Sequence, residues 1–213
     1  MQLPLAIFLG HYYDQAAFMD TGYLVSAGIN PYLPHIITVF SPRLLGVNPI
    51  IGDPPLWPLL LGGIYRLSYN VIPNIFLYNF AIKVPVIASN IGLACIAKNI
   101  LRQQGASDKK IRFVWLFLLF NPFLLLTTTA WGQFETLIAL LCVASLYLLS
   151  KGIMKKSAVL LSVSVVLKPI SLPLLGLPLL VSPRKNLAKM LQYILISVAV
   201  IVALWILPFN LFG

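Results

Sequence analysis

The stretch KNILRQQGASDKKIR, residues 98–112, decides how this chain is read. It sets Lys98, Arg102, Lys109, Lys110 and Arg112 against one acid, Asp108, and it lies between two long apolar runs. Two shorter gaps of the same kind, residues 151–156 and 184–189, complete a set that holds 11 of the 15 Lys and Arg. Four of the five acids, Asp14, Asp20, Asp53 and Glu135, lie elsewhere. Loops rich in Lys and Arg stay on the cytoplasmic side of a membrane. The segregation therefore orients the chain and gathers nearly all its carboxylates on the opposite face.

Composition agrees. The 213 residues are 60% hydrophobic and 9% charged, with a mean hydropathy of +0.93, whereas soluble domains carry about a quarter charged residues. Apolar runs of about 20 residues recur, the length that a membrane-spanning helix needs. The expected fold class is all-α, a polytopic helical membrane protein with one transmembrane domain over residues 1–213. The net charge of +10 is accounted for by the basic gaps, so no nucleic-acid partner is implied. Cys95 and Cys142 sit inside apolar runs without metal-ligand spacing. Residues 1–10 are apolar but lack the basic start and cleavage site of a signal peptide. They read as the outer end of a first helix whose beginning is missing, or as an interfacial helix.

Residues 11–74 read as an outer loop with interfacial helices, since its apolar run Leu56–Leu67 is too short to span. Residues 75–208 hold the transmembrane helices, with spans over 75–97, 112–130, 134–150 and 189–207. Residues 157–181 have basic clusters at both ends and are broken by Lys168-Pro169 and Pro173. That pattern predicts a helical hairpin that enters from the basic side and returns; irregular backbone at such depth needs protein or a wet cavity beside it.

Asp14 and Asp20 have two readings. A carboxylate on a membrane-hugging outer loop suits a general base. Equally, each stands where a helix cap would, Asp14 before residues 15–19 and Asp20 before residues 21–27. Their spacing of six does not put both on one face of a continuous helix. Asp53, in Gly52-Asp53-Pro54-Pro55, reads as a cap or a substrate contact. Glu135 reads as a first-turn partner of the helix dipole or a ligand for a sugar hydroxyl. Lys83, Lys168 and Arg66 are the cations in or near apolar runs, where a lipid phosphate or simple snorkelling explains them. His11 and His35 lack a companion at zinc-ligand spacing.

Taken in order, these pieces resemble the GT-C class of multi-span glycosyltransferases that use polyprenyl-phosphate sugars. The nearest likeness is to GPI mannosyltransferase I (the PIG-M type) and its prokaryotic relatives. The ordered set is Tyr13-Asp14 through Asp20, Gly28-Ile29-Asn30-Pro31-Tyr32, Pro54-Pro55-Leu56, Lys83, Asn121-Pro122, Trp131-Gly132-Gln133-Phe134-Glu135 and Lys168-Pro169. It covers nearly the whole chain but only the amino-terminal half of a typical member. The resemblance implies inverting transfer of a sugar, commonly mannose, from a lipid phosphate carrier on the outer or lumenal face. Asp14 and Asp20 would be catalytic; Tyr12, Arg43, Asp53, Gln133, Glu135 and Lys168 would bind substrate. In the family's Asp-x-Asp motif the second acid falls on Asp14 and the first on Tyr12, and members tend to have Asp where Glu135 stands. The departure at Tyr12 leaves a divalent metal without support, so no cofactor is expected beyond the sugar donor. The implied partners are the lipid-linked donor, an acceptor glycan or lipid, and an accessory subunit or the missing carboxy-terminal half. The implied location is the cell membrane of a prokaryote or the endoplasmic reticulum of a eukaryote. Two other classes fit the residues: a non-catalytic or truncated membrane subunit, and a transporter, for which a repeated half would be expected.

Sidedness is directly testable. With Cys95 and Cys142 replaced, single cysteines at Asp14 and Lys110 should react with an impermeant thiol reagent from opposite sides of intact vesicles. Labelling of both from one side would overturn the topology.

Overall fold

A computed structural model describes residues 2–33, 39–40, 51–178 and 187–211, the side chains of 207 and 209–211 excepted. The elements are α1 (Gln2–Phe8), α2 (Tyr12–Ser26), α3 (Leu56–Leu67), α4 (Ile75–Gln103), α5 (Asp108–Phe120) and α6 (Pro122–Leu124). A π turn (Leu125–Ala130) continues α6; then come α7 (Glu135–Ser150), α8 (Met154–Leu167), a 3-10 segment (Pro169–Gly176) and α9 (Leu187–Leu211). The described residues contain no strand, so the fold is all-α. Among them the helical stretches Ile75–Gln103, Asp108–Ala130 and Leu187–Ile206 are long and apolar enough to cross a membrane, which makes this a membrane protein.

The helices run further into the basic gap than the hydropathy pattern predicts. α4 continues to Gln103 and α5 starts at Asp108, with the Ser107 hydroxyl accepting the Lys110 amide at 3.5 Å. Charged residues at helix ends extend their stems along the apolar surface and keep their heads in water, so they do not terminate the helix where the apolar run stops. At the far end of α5, Asn121 adopts the extended conformation that the following Pro122 imposes. Its side chain then accepts the amides of Phe123 and Leu124 at 2.9 and 3.3 Å. A new helix thus starts in the middle of the span and passes at once into the π turn.

Lys83 reads in the sequence as a cation for a lipid phosphate or for snorkelling. The structure corrects this: its side chain is fully buried, and its ammonium donates to the carbonyls of Leu9 and Ala130. One turn earlier on the same face of α4, the Asn79 amide nitrogen lies 2.9–3.0 Å from the carbonyls of Ala6, Ile7 and Leu9. Two turns later Asn90 donates to the hydroxyls of Thr128 and Thr129, at 3.1 and 3.4 Å. One stripe of α4 therefore satisfies the open C-terminal carbonyls of α1 and the polar side of the π turn. A helix end carries partial negative charge and bare carbonyls, and away from water these need donors.

Arg66, another of these cations, is exposed and donates to the Ser26 carbonyl at 2.9 Å, and so caps α2. α2 and α3 cross at close range. A Cβ on Gly22 would stand 2.2 Å from the Tyr78 hydroxyl and 2.9 Å from the Leu61 carbonyl oxygen, and one on Gly62 would stand 2.4 Å from Val25. Glycine at both positions lets the backbones approach. Trp57 and Leu61 of α3 are thereby buried against Phe18, Ile82 and Phe134.

The expected hairpin is broken after Leu167 and starts to fold back within the described residues, while its end at 179–181 lies outside them. Ser171 of the 3-10 segment folds back so that its hydroxyl accepts from Ser164 at 2.9 Å, and Leu174 and Leu175 pack at the level of Ala158 and Leu161. α8 and α9 consequently run parallel, with Ser162 donating to the Ser197 carbonyl at 3.2 Å and Tyr193 on Ala158 and Leu161. Gln103 donates to the Tyr147 hydroxyl at 2.6 Å, which sets the α4–α5 turn and the α7–α8 turn at the same end of the bundle. That end holds Lys98, Arg102, Lys109, Lys110, Arg112, Lys151, Lys155 and Lys156.

Replacing Lys83 by Met keeps the stem but strips the buried Ala130 carbonyl of its donor, at about 1–3 kcal/mol, and leaves the Leu9 carbonyl to Asn79 alone. The variant should unfold in detergent at a lower temperature than the parent; an unchanged Tm would show that α1 is held by other contacts.

Candidate functional site

The acidic end is assembled where α2, α7 and the end of α8 meet. α2 is one continuous helix, and its cap is His11, whose Nδ1 accepts the Asp14 amide at 3.4 Å. The capping readings of Asp14 and Asp20 are both corrected: Asp14 lies in the first turn and Asp20 in the middle of α2. As their spacing requires, the two side chains diverge. Asp20 points into the packed interior, 2% exposed, and its Oδ1 accepts the amides of Val39 and Phe40 at 2.8 and 2.9 Å. A buried carboxylate bonded in this way holds Val39 and Phe40 against α2.

Asp14 is only half-buried. Its Oδ2 accepts the indole Nε1 of Trp131 at 2.6 Å and the Gln133 side-chain amide at 2.5 Å. His11 Nδ1 stands 3.3 Å from the same oxygen, and the His11 ring stacks on Trp131 at 4.5 Å. The donors come from the Trp131-Gly132-Gln133 link, which the π turn aims at α2. Trp131 N bonds Leu126 O at 2.8 Å and Gln133 N bonds Thr127 O at 3.1 Å, wider steps than an α-helix makes. Gly132 has φ +100, and a Cβ there would sit 1.9 Å from Gln15 Nε2. Gln15 Nε2 itself donates to the Trp131 carbonyl at 3.0 Å. Only glycine fits this position.

Across the same mouth, Lys168 Nζ pairs with Glu135 Oε1 at 2.6 Å and lies over the Phe134 ring, 5.4 Å from its centre. Phe134 in turn stacks on Trp57 at 4.1 Å, so the ion pair rests on the aromatic core. Lys168 owes its place to the Lys168-Pro169 break, where the backbone turns extended at the end of α8. Glu135 does stand in the first turn of α7, and it also holds Lys168.

Asp53 caps nothing: α3 begins at Leu56, with Pro55 at the capping position. That reading is corrected because the Pro-Pro pair delays the helix by two residues. Burial pushes the Asp53 carboxyl up to about 6; the Lys168 ammonium opposes this, and the charges of Glu135 and Asp14 reinforce it. The Asp53 carboxyl thus senses the other three charged side chains. The loop around Asp53 is tied to the Gly28–Tyr32 turn by the Tyr32 hydroxyl, which donates to the Asp53 carbonyl at 2.7 Å; burial raises the Tyr32 pKa.

Tyr12 is exposed at the start of α2 and lies outside this network. Arg43 and His35 lie outside the described residues. No three His, Cys, Asp or Glu side chains among the described residues are placed to hold a metal ion. Sequence reasoning missed His11 and Trp131 as partners of Asp14. An apolar groove beside the cluster lies between α4, α6 and α7, about 430 Å³ in volume, and is lined by Leu93, Phe123, Trp131, Gln133, Glu135 and Thr136 among others. Thr136 Oγ1 is buried there without a hydrogen-bond partner among the described residues.

Comparison with family models, with curated proteins and with solved structures gives no match for this chain.

The raised pKa of Asp53 carries a stability signature. The folded protein holds this proton more tightly than the unfolded chain, so the contribution is complete below about pH 4 and is lost as pH rises through about 6. Asp53→Asn should therefore raise the Tm at pH 7 while changing it little at pH 4. Equal Tm differences at both pH values would remove the burial of an ionisable carboxyl as the cause.

Proposed function

We propose that this chain transfers a sugar, with mannose the first candidate, from a polyprenyl-phosphate carrier to an acceptor glycan or lipid at its acidic end. The observation that carries the reading is the Asp14 carboxylate, oriented through one oxygen by Trp131 and Gln133 beside an apolar groove that Gln133 and Glu135 also line. No described residue hydrogen-bonds its other oxygen, which leaves that atom to accept a proton. In the proposed step the acceptor hydroxyl gives its proton to Asp14 and attacks the anomeric carbon from the face opposite the phosphate. The bond from that carbon to the phosphate oxygen breaks, the lipid phosphate departs, and configuration inverts. Lys168, released from Glu135, would offset the charge that grows on the leaving phosphate. The acidic end is then the outer or lumenal face of a prokaryotic cell membrane or a eukaryotic endoplasmic reticulum, and an accessory subunit or further chain completes the acceptor site.

A second reading rests on one observation. Asp53, with its pKa raised to about 6 by burial, suits a base working near neutrality, and it lies in the same charged cluster. The two readings separate cleanly. In membranes supplied with radiolabelled polyprenyl-phosphate sugar, Asp14→Asn should lower the rate at least 100-fold with membrane insertion unchanged. If Asp53 is the base, Asp53→Asn causes that loss instead and removes an inflection near pH 6 from the rate profile. Full activity in both variants would sink the proposal.

A further inference from the structure

The basic end holds a cavity that the proposed sugar transfer does not use. Between the last turns of α4 and the first of α5 lies a pocket of about 300 Å³ lined by Lys98, Arg102, Asp108, Ile111, Arg112 and Trp115. Three cations from two helices converge there against one carboxylate. None of the three is in an ion pair with any described residue; the Lys–carboxylate pair among those residues is Lys168–Glu135. The Lys98 ammonium lies over the Trp115 indole, 5.9 Å from its centre. Like charges gathered without a partner repel, and an anion between them relieves the repulsion.

The pocket also has an apolar side. Ile111 is buried, while Phe113, Leu116 and Phe117 on α5 are exposed, on a helix long and apolar enough to cross a membrane. The cations therefore ring the level at which a membrane helix leaves the hydrocarbon. Trp prefers this level, with its ring among acyl chains and its N–H in the headgroup layer. Arg binds phosphate oxygens through two parallel N–H bonds, which suits it to this ligand better than Lys.

We infer that this pocket binds the phosphate of an anionic membrane lipid, with Arg102 and Arg112 on the phosphate and Trp115 beside the glycerol and upper acyl chain. Basic pockets between transmembrane helices hold anionic headgroups elsewhere on the same principle. The site lies at the opposite end of the bundle from Asp14 and is independent of the proposed transfer. Its role is to hold the α4–α5 hairpin at a fixed depth. Asp108 is the one element that opposes the ligand.

The test uses the full chain in nanodiscs of phosphatidylcholine with and without phosphatidylglycerol, and native mass spectrometry to count retained lipid. Phosphatidylglycerol should be retained in preference to phosphatidylcholine. Arg102→Gln with Arg112→Gln should weaken that retention about 10- to 30-fold, at about 1 kcal/mol for each basic group. Both arginines are exposed, so the fold should tolerate the change. Asp108→Asn should tighten retention. The control is Lys155→Gln with Lys189→Gln, which removes the same charge from a second basic cavity between α8 and α9; it should leave retention nearly unchanged. Equal loss in the two double variants would mean a diffuse positive surface and overturn the site. No preference for phosphatidylglycerol would overturn it as well. Inorganic phosphate that displaces the lipid at millimolar concentration would overturn the lipid assignment in favour of a soluble phosphate ester.

Discussion

The acidic end depends on the Lys83 ammonium. Buried in the bundle, it joins the end of α1 to the end of the π turn by donating to Leu9 and Ala130. The residues on either side of those two carbonyls are the ones that make the site. Leu9 leads through Gly10 to His11, which caps α2 and touches Asp14. Ala130 leads into Trp131 and Gln133, which orient the same carboxylate. The His11 amide also donates to the Trp131 carbonyl at 3.2 Å, so the two chains stay side by side from Lys83 to the surface. A charge within a span is costly; here its cost is offset by the Ala130 carbonyl, which it alone serves among the described residues, and the Leu9 carbonyl, which it shares with Asn79.

The same economy explains the polar residues in the other helices. Ser145 bonds Ser157 across α7 and α8, and Ser162 bonds Ser197 across α8 and α9, at 2.9 and 3.2 Å. Such small hydroxyl residues let helices approach and then link them. The hairpin's return strand is held similarly, through Ser164 and Ser171. α9, mostly exposed on its other faces, is attached to α8 where Tyr193 packs on Ala158 and Leu161 and the Ser197 carbonyl accepts from Ser162.

Much of this architecture was legible because it follows from period and punctuation. Long apolar runs gave three of the four expected spans, the fourth, over 134–150, being the shorter helix Glu135–Ser150. The basic gaps gave the common end of the turns, and Lys168-Pro169 with Pro173 gave the break after α8, since a ring without an N–H ends an α-helix. What local reasoning misread was every aspartate it took for a cap. Asp14 and Asp20 stand inside one helix because tertiary partners reward them there: Trp131 and Gln133 for one, the amides of Val39 and Phe40 for the other. Those partners are 19 to 119 residues away, beyond any window of helix propensity. Lys83 was visible as an anomaly but its partners were not, because backbone carbonyls leave no mark in a sequence. The π turn was equally silent: LLTTTA carries no pattern that separates it from ordinary helix.

That π turn makes the stretch from Asn121 to Gln133 a ruler of fixed count. Each residue advances an α-helix by about 100°, so losing one between Leu125 and Ala130 would swing the Trp131 indole and the Gln133 amide roughly a quarter turn away from α2. Composition can drift along this stretch, as threonine for leucine on its outer side, but its length cannot. Insertions and deletions between these two landmarks should be the rarest changes that natural variants of this chain accumulate.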